Sequence, residues 1–145
     1  MSARQDSGLV LLVEDDEIDY QLIQIALKKK GLRTTVFRVP DAHRAMAYLQ
    51  GQPPFEDRKQ HPLPTRICTD LRLPGINGYE LIKWVRQRPK YSEIPIVVFS
   101  AVLSPDLSTW LPGTHLCAGK SNNFNVYAEL LHTLLTSDLK EGPRA

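Results

Sequence analysis

Five consecutive apolar residues, Leu9-Val10-Leu11-Leu12-Val13, run directly into Glu14-Asp15-Asp16, and few folds accommodate that order. An uninterrupted apolar run of this length predicts a strand covered on both faces, as in a parallel sheet with helices on either side. The acids then fall at the strand's C-terminal edge, where open α/β sheets place their ligands. Adjacent carboxylates repel one another, so the cluster asks for a cation, and a hard divalent metal is the obvious one. Asp16 alone has a simpler reading as the N-cap of the following helix. That reading leaves Glu14 and Asp15, which precede the helix, unexplained.

Helical and strand patterns alternate along the rest of the chain. Ile18, Leu22, Ile25 and Ala26 recur at helical spacing up to Gly31, a natural residue just past a helix end. Residues 34–38 read as a short strand, and Pro40-Asp41 opens a second helix with Ala42, Ala45, Met46 and Leu49 along one face. Residues 51–64 are polar and proline-rich and predict a long surface loop. A third strand is expected over 66–70, a third helix over 78–88 and a fourth strand over 96–99. Residues 104–111 predict a brief helix, with Ser104 as cap and Pro105 in the first position; Trp110 there reads as core or as a partner-facing anchor, core being favoured. A weak fifth strand, 115–118, precedes a last helix from Phe124, striped by Tyr127, Leu130, Leu131, Leu134 and Leu135. Five such units joined by right-handed crossovers predict an α/β, doubly wound (βα)5 flavodoxin-like three-layer sandwich with parallel strand order 2-1-3-4-5.

At 145 residues the chain predicts one domain, spanning 8–138, with residues 1–7 and 139–145 as flexible termini. Its 18 basic side chains nearly balance 16 acidic ones, which argues against a nucleic-acid partner. Lys28-Lys29-Lys30 falls at a helix end, where it complements the dipole. No run approaches the roughly 20 apolar residues of a membrane span, and residues 1–8 lack the apolar core of a signal peptide. Together with Cys68 and Cys117, which read as reduced core thiols, this predicts a cytoplasmic protein away from membranes.

Four strand ends carry polar groups: Glu14-Asp15 after the first, Asp70 after the third, Ser100 after the fourth and Lys120 after the fifth. In the order 2-1-3-4-5 these strands are neighbours, so the groups converge on one crevice. Each alone is ordinary; the set is not. Asp15 and Asp70 suit Mg²⁺, which takes carboxylates and water in octahedral geometry at about 2.0–2.1 Å, and Glu14 would act on it through a bound water. Lys120 supplies a point charge for Asp70 or for a phosphoryl oxygen, and the Ser100 hydroxyl serves a second oxygen. The arrangement fits an in-line phosphoryl displacement in which Asp70 is the nucleophile.

With these residues in hand, the chain resembles the receiver domain of two-component response regulators from about residue 8 to residue 135. The matching pieces are Val13-Glu14-Asp15-Asp16, Asp70-Leu71-Arg72-Leu73-Pro74 with Gly78 beyond, Phe99-Ser100-Ala101, and Lys120. The resemblance implies that Asp70 accepts a phosphoryl group from a sensor histidine kinase in a phosphorelay, as a signalling switch rather than an enzyme. It implies that the Arg72 backbone carbonyl completes the Mg²⁺ shell, and that Pro74 and Gly78 shape the loop after Asp70. The loop 51–64, the stretch 45–50 and Lys120-Ser121 are similar to single-domain regulators that partner phytochrome-type sensor kinases. Those relatives imply a homodimer, and a histidine phosphotransfer protein is a second possible partner.

Three departures stand out. Ser121 follows the lysine where most receivers have proline, often after a cis bond; a cis bond before serine would cost roughly 3–4 kcal/mol. Cys117 stands three residues before Lys120, where many receivers carry an aromatic switch residue. Between Ser100 and Lys120 the chain is short and broken by Pro112-Gly113. Cys117 and Ser121 keep open a degenerate receiver that binds partners without phosphorylation, against which the intact Glu14, Asp15, Asp70, Ser100 and Lys120 argue. A haloacid-dehalogenase-type phosphohydrolase is disfavoured because Arg72 stands where a second acid belongs. A nucleotide-binding module is disfavoured because no glycine-rich loop follows the first strand.

Overall fold

The structure, a computed structural model, describes residues 8–106 and 111–139. Five strands form one parallel sheet: β1 (Leu9–Val13), β2 (Thr35–Val39), β3 (Arg66–Thr69), β4 (Ile96–Ser100) and β5 (Leu116–Gly119). Their order is β2-β1-β3-β4-β5, as the alternation predicts. Four helices are present among the described residues: α1 (Glu17–Lys29), α2 (Ala42–Gln50), α3 (Gly78–Arg86) and α4 (Phe124–Thr136).

The apolar runs are explained by two cores, one on each face of the sheet. Leu9, Leu11, Val13, Ile67, Ile96 and Val98 pack with α2 and α3, while Val10, Leu12, Cys68, Val97 and Phe99 pack with α1 and α4. Successive strand side chains point to opposite faces, so both registers of β1 must be apolar. Helix starts follow local capping. Asp16, Asp41, Asn77 and Asn123 each accept backbone N–H groups at the head of their helix. At the end of α1, Gly31 takes φ +67°, and the N–H groups of Gly31 and Leu32 return to the carbonyls of Lys28 and Leu27.

Two details differ from the sequence reading. The stripe on α1 is rotated: Ile18 and Ile25 are exposed, while Ile23 and Ala26 are buried. The helix packs chiefly against α4, and that contact selects the face carrying 19, 23 and 26. Helix α3 ends at Arg86, before Pro89 is reached. Residues 101–106 and 111–115 form turns and a single bridge, while residues 107–110, the middle of the expected helix 104–111 and including Trp110, lie outside the described residues. The loop 51–64 is packed. Phe55 is buried among Phe37, Tyr48 and His61, and the Arg58 guanidinium donates to the carbonyls of Tyr48, Leu49 and His61 at 2.6–2.8 Å. At the termini, residues 1–7 and 140–145 lie outside the described residues, while Leu139 packs half-buried against the α1/α4 core. At the opposite edge of the sheet from the acids, Arg66 donates to the carbonyls of Leu134 and Ser137, both at 2.6 Å, and ties β3 to the end of α4.

Both cysteines are buried and neither forms a disulfide, and burial pushes the Cys68 thiol up to about 12. Reaction needs both access and thiolate. Iodoacetamide at pH 8 is therefore expected to leave both thiols unmodified in the native protein and to label both in guanidinium, read by intact mass. Rapid native labelling of Cys68 would contradict the packing of β3.

Candidate functional site

All the acids singled out from the sequence lie at the carboxyl edge of the sheet. The backbone puts them there. The Asp70 N–H donates to the Val13 carbonyl at 3.1 Å, the Glu14 N–H to the Val39 carbonyl at 3.0 Å and the Lys120 N–H to the Ser100 carbonyl at 3.1 Å. Each functional residue thus continues a ladder hydrogen bond one step past its strand. Arg38 on β2 fixes the loop from below, its guanidinium donating to the carbonyls of Glu14 and Asp15 at 2.8 and 3.2 Å.

At the centre is the Lys120 ammonium, with only 6% of its side chain exposed. Its three N–H donors reach three carboxylates: Glu14 Oε1 at 2.7 Å, Asp19 Oδ2 at 2.9 Å and Asp70 Oδ2 at 2.9 Å. Burial by itself lowers a lysine pKa, but Glu14 and Asp70 outweigh it and hold Lys120 above its ordinary value, firmly cationic. Burial raises the Glu14 carboxyl against the opposing pull of Lys120 and of the Asp16 N–H on its second oxygen.

Asp70 is buried and held at both oxygens. Ser100 Oγ donates to Oδ1 at 2.5 Å, the Arg72 N–H donates to Oδ1 at 3.0 Å, and Lys120 takes Oδ2. Behind it the chain is tight. A Cβ on Gly78 would lie 2.3 Å from the Asp70 carbonyl oxygen, so only glycine fits there. A Cβ on Gly119 would lie 1.9 Å from the Leu103 carbonyl oxygen, because the loop after β4 folds onto the end of β5. The Gly119 N–H donates to the Ser104 carbonyl at 2.7 Å and locks that contact.

In front of Asp70 lies an open cleft of about 640 Å³, lined by Asp15, Leu71, Arg72, Leu73, Pro74, Asn77, Tyr79 and Val102. Asp15 is exposed at its rim. Among the described residues no three His, Cys, Asp or Glu side chains converge to cage a metal ion. Asp15 and Arg72 line this space and Asp70 adjoins it, next in the chain to Leu71 of its wall, so the carboxylates and backbone carbonyls that these residues offer are all hard oxygens. That set fits an ion which keeps several waters and takes one or two carboxylates, the habit of Mg²⁺ rather than of Zn²⁺. Glu14 stands behind this space, its carboxylate given to Lys120 and to the Asp16 N–H.

The departures noted in the sequence resolve simply. The Lys120–Ser121 peptide is trans, the cis bond among the described residues being Pro53–Pro54. Cys117 is fully buried in the core and carries no ring to swing. Asp16 caps α1, accepting from the N–H groups of Ile18 and Asp19 at 2.8 and 3.0 Å. Two contributors escaped the sequence reading: Arg38 and Asp19. Asp19 was legible only through the right helical face, since it lies four residues before Ile23 and seven before Ala26, the residues that are buried.

Residues 10–109 match the response regulator receiver domain family. Response regulator Rcp1 of Synechocystis sp. is 35% identical over 98 residues, which are 68% of this chain and 65% of Rcp1. The chain spans just under two thirds of that relative and 49% of the Arabidopsis thaliana two-component response regulator ARR6. Among solved structures, the Mn²⁺-bound form of Rcp1 superposes with a TM-score of 0.72 at 27% identity, covering 91% of this chain and 98% of that one. The phosphorylated cyanobacterial phytochrome response regulator RcpA gives 0.71 at 26% identity, covering 90% and 96%.

Gly78→Ala tests the tight floor beneath Asp70. The new methyl meets backbone rather than a flexible side chain, so the variant is expected to lose about 1–3 kcal/mol of stability in a urea melt. An unchanged midpoint would contradict the close approach of α3 to the Asp70 carbonyl.

Proposed function

This chain belongs to the response regulator receiver family, and from that premise we propose that Asp70 is its phosphoacceptor. The observation that carries the reading is that the two Asp70 oxygens are addressed by separate donors, Ser100 and Lys120, beside an open cleft. A phosphohistidine on a sensor kinase supplies the group. The Asp70 carboxylate attacks phosphorus, the P–N bond breaks, and the histidine nitrogen keeps the electron pair and takes up a proton. Lys120 turns one N–H from Asp70 Oδ2 to a phosphoryl oxygen, and the Ser100 hydroxyl moves to another. A divalent cation, Mg²⁺ in this reading, held by Asp15, Asp70 and the Arg72 carbonyl, would neutralise charge on the phosphoryl oxygens.

The shift of Ser100 draws on the loop that follows it, because the N–H groups of Val102 and Leu103 point back at Ser100 Oγ and its carbonyl at 3.5 and 3.2 Å. Loop 101–103, β5 and α4 then form the surface whose partner affinity changes. That surface is where we place two further partners: a second copy of this chain, or a histidine phosphotransfer protein. The names of Rcp1 and RcpA support a phytochrome-type kinase as donor. No described helix is long and apolar enough to cross a membrane, and phosphotransfer of this kind belongs in the cytoplasm.

Incubation with acetyl phosphate and Mg²⁺ is expected to add one labile phosphoryl group, about 80 Da by intact mass, to the wild type and nothing to Asp70→Asn. No gain in either protein would turn the reading to a phosphorylation-independent partner-binding module.

Arg72 and Val102 face the cleft from its two sides and are both exposed, well placed to gate water. Arg72→Ala is expected to change the rate of phosphoryl loss severalfold while leaving phosphorylation intact. An unchanged decay rate, followed by mass after the donor is removed, would sink this role.

A further inference from the structure

The geometry points to Asp19 as a positioning residue that holds Lys120 back from the phosphoryl group and so lowers the affinity of the site for it. This rests on the phosphoacceptor reading of Asp70. Asp19 sits in the first turn of α1, where the helix dipole favours an acid. The dipole accounts for an acid there, but not for a carboxylate oxygen 2.9 Å from a buried ammonium contributed 101 residues further along the chain.

Lysine has three N–H donors, and all three are taken, by Glu14, Asp19 and Asp70. Two of the acceptors have claims independent of the lysine. Glu14 Oε2 accepts the Asp16 N–H, and Asp70 Oδ1 accepts from Ser100 and Arg72. Asp19 has no such second role on the strand edge, and its backbone is braced by both α1 and the Tyr127 hydroxyl of α4, which donates to its carbonyl at 3.5 Å. A short carboxylate on a braced backbone, facing a flexible four-carbon stem, leaves the lysine as the part that moves. When a phosphoryl group arrives on Asp70, Asp19 acts against it twice. It competes for the ammonium, and it adds a negative charge beside an incoming anion. Removing that charge leaves Glu14 to hold the lysine and frees a donor for the phosphoryl oxygens.

The test uses beryllium trifluoride as a phosphoryl stand-in, titrated calorimetrically in Mg²⁺ into wild type, Asp19→Asn and Asp19→Ala, with the thermal midpoint of each recorded. Both variants are expected to bind about tenfold more tightly than the wild type, with Asp19→Asn, which keeps the shape, folded to the same midpoint within a few degrees. A purely structural Asp19 would lower the midpoint and leave the affinity unchanged or weaker, and either affinity result overturns the proposal. A wild type that binds no beryllium trifluoride overturns the phosphoacceptor reading itself, and the role of Asp19 with it.

Discussion

One buried ammonium organises the upper edge of this sheet. Glu14 and Asp70 are nearly inaccessible to water, and two carboxylates so placed would repel each other strongly without a counter-charge. Lys120 supplies it, and the lysine in turn is fixed by the end of β5. A charged pair taken out of water stands only if its hydrogen bonds are complete; leaving one partner bare costs on the order of 3–5 kcal/mol. Here completeness is achieved by geometry, with three donors meeting three acceptors. The carboxyl ends of β1, β3 and β5 are therefore held together by charge as well as by the ladder, and the site is part of the scaffold that supports it.

Much of this was readable from residue order. The strand β1 was legible because a five-residue apolar run can be satisfied only between two cores, and both cores are there. Asp70, Ser100 and Lys120 were legible as a set because the strand order makes their positions neighbours, and they touch as expected. The rest depended on tertiary contacts that periodicity does not encode. On α1 two overlapping stripes compete, Ile18/Leu22/Ile25/Ala26, of which Ala26 is buried as expected, and Asp19/Ile23/Ala26. Apolar residues alone favour the first, yet packing against α4 selects the second and carries an acid inward. In loop 51–64 the polar composition conceals one aromatic, Phe55, and one arginine, Arg58, that fasten it down. Arg38 reads as a strand residue half turned to solvent, and nothing local says that its guanidinium will hold the Glu14 and Asp15 carbonyls.

The two sides of the site differ in character. The Lys120 side is enclosed, with one ammonium shared by three carboxylates, whereas the Asp15 side opens to a cleft with exposed Asp15, Arg72 and Val102 at its edge. This asymmetry suits a group that must be delivered by a partner and then read by the protein. In the proposed reading, delivery uses the open side, and the response starts from Ser100 and Lys120 on the enclosed one.

The floor beneath Asp70 has a further consequence for direction. With α3 pressed so close that a single methyl at Gly78 would collide with the Asp70 carbonyl, the backbone there has no room to recoil toward α3. The opposite wall is a hydroxyl and a short loop, held by contacts at 3.2–3.5 Å. Any bulk added at Asp70 therefore meets an anvil on one side and a hinge on the other. Under the proposed phosphorylation of Asp70 the fold would act as a mechanical rectifier, sending strain introduced at one atom toward β4 and β5.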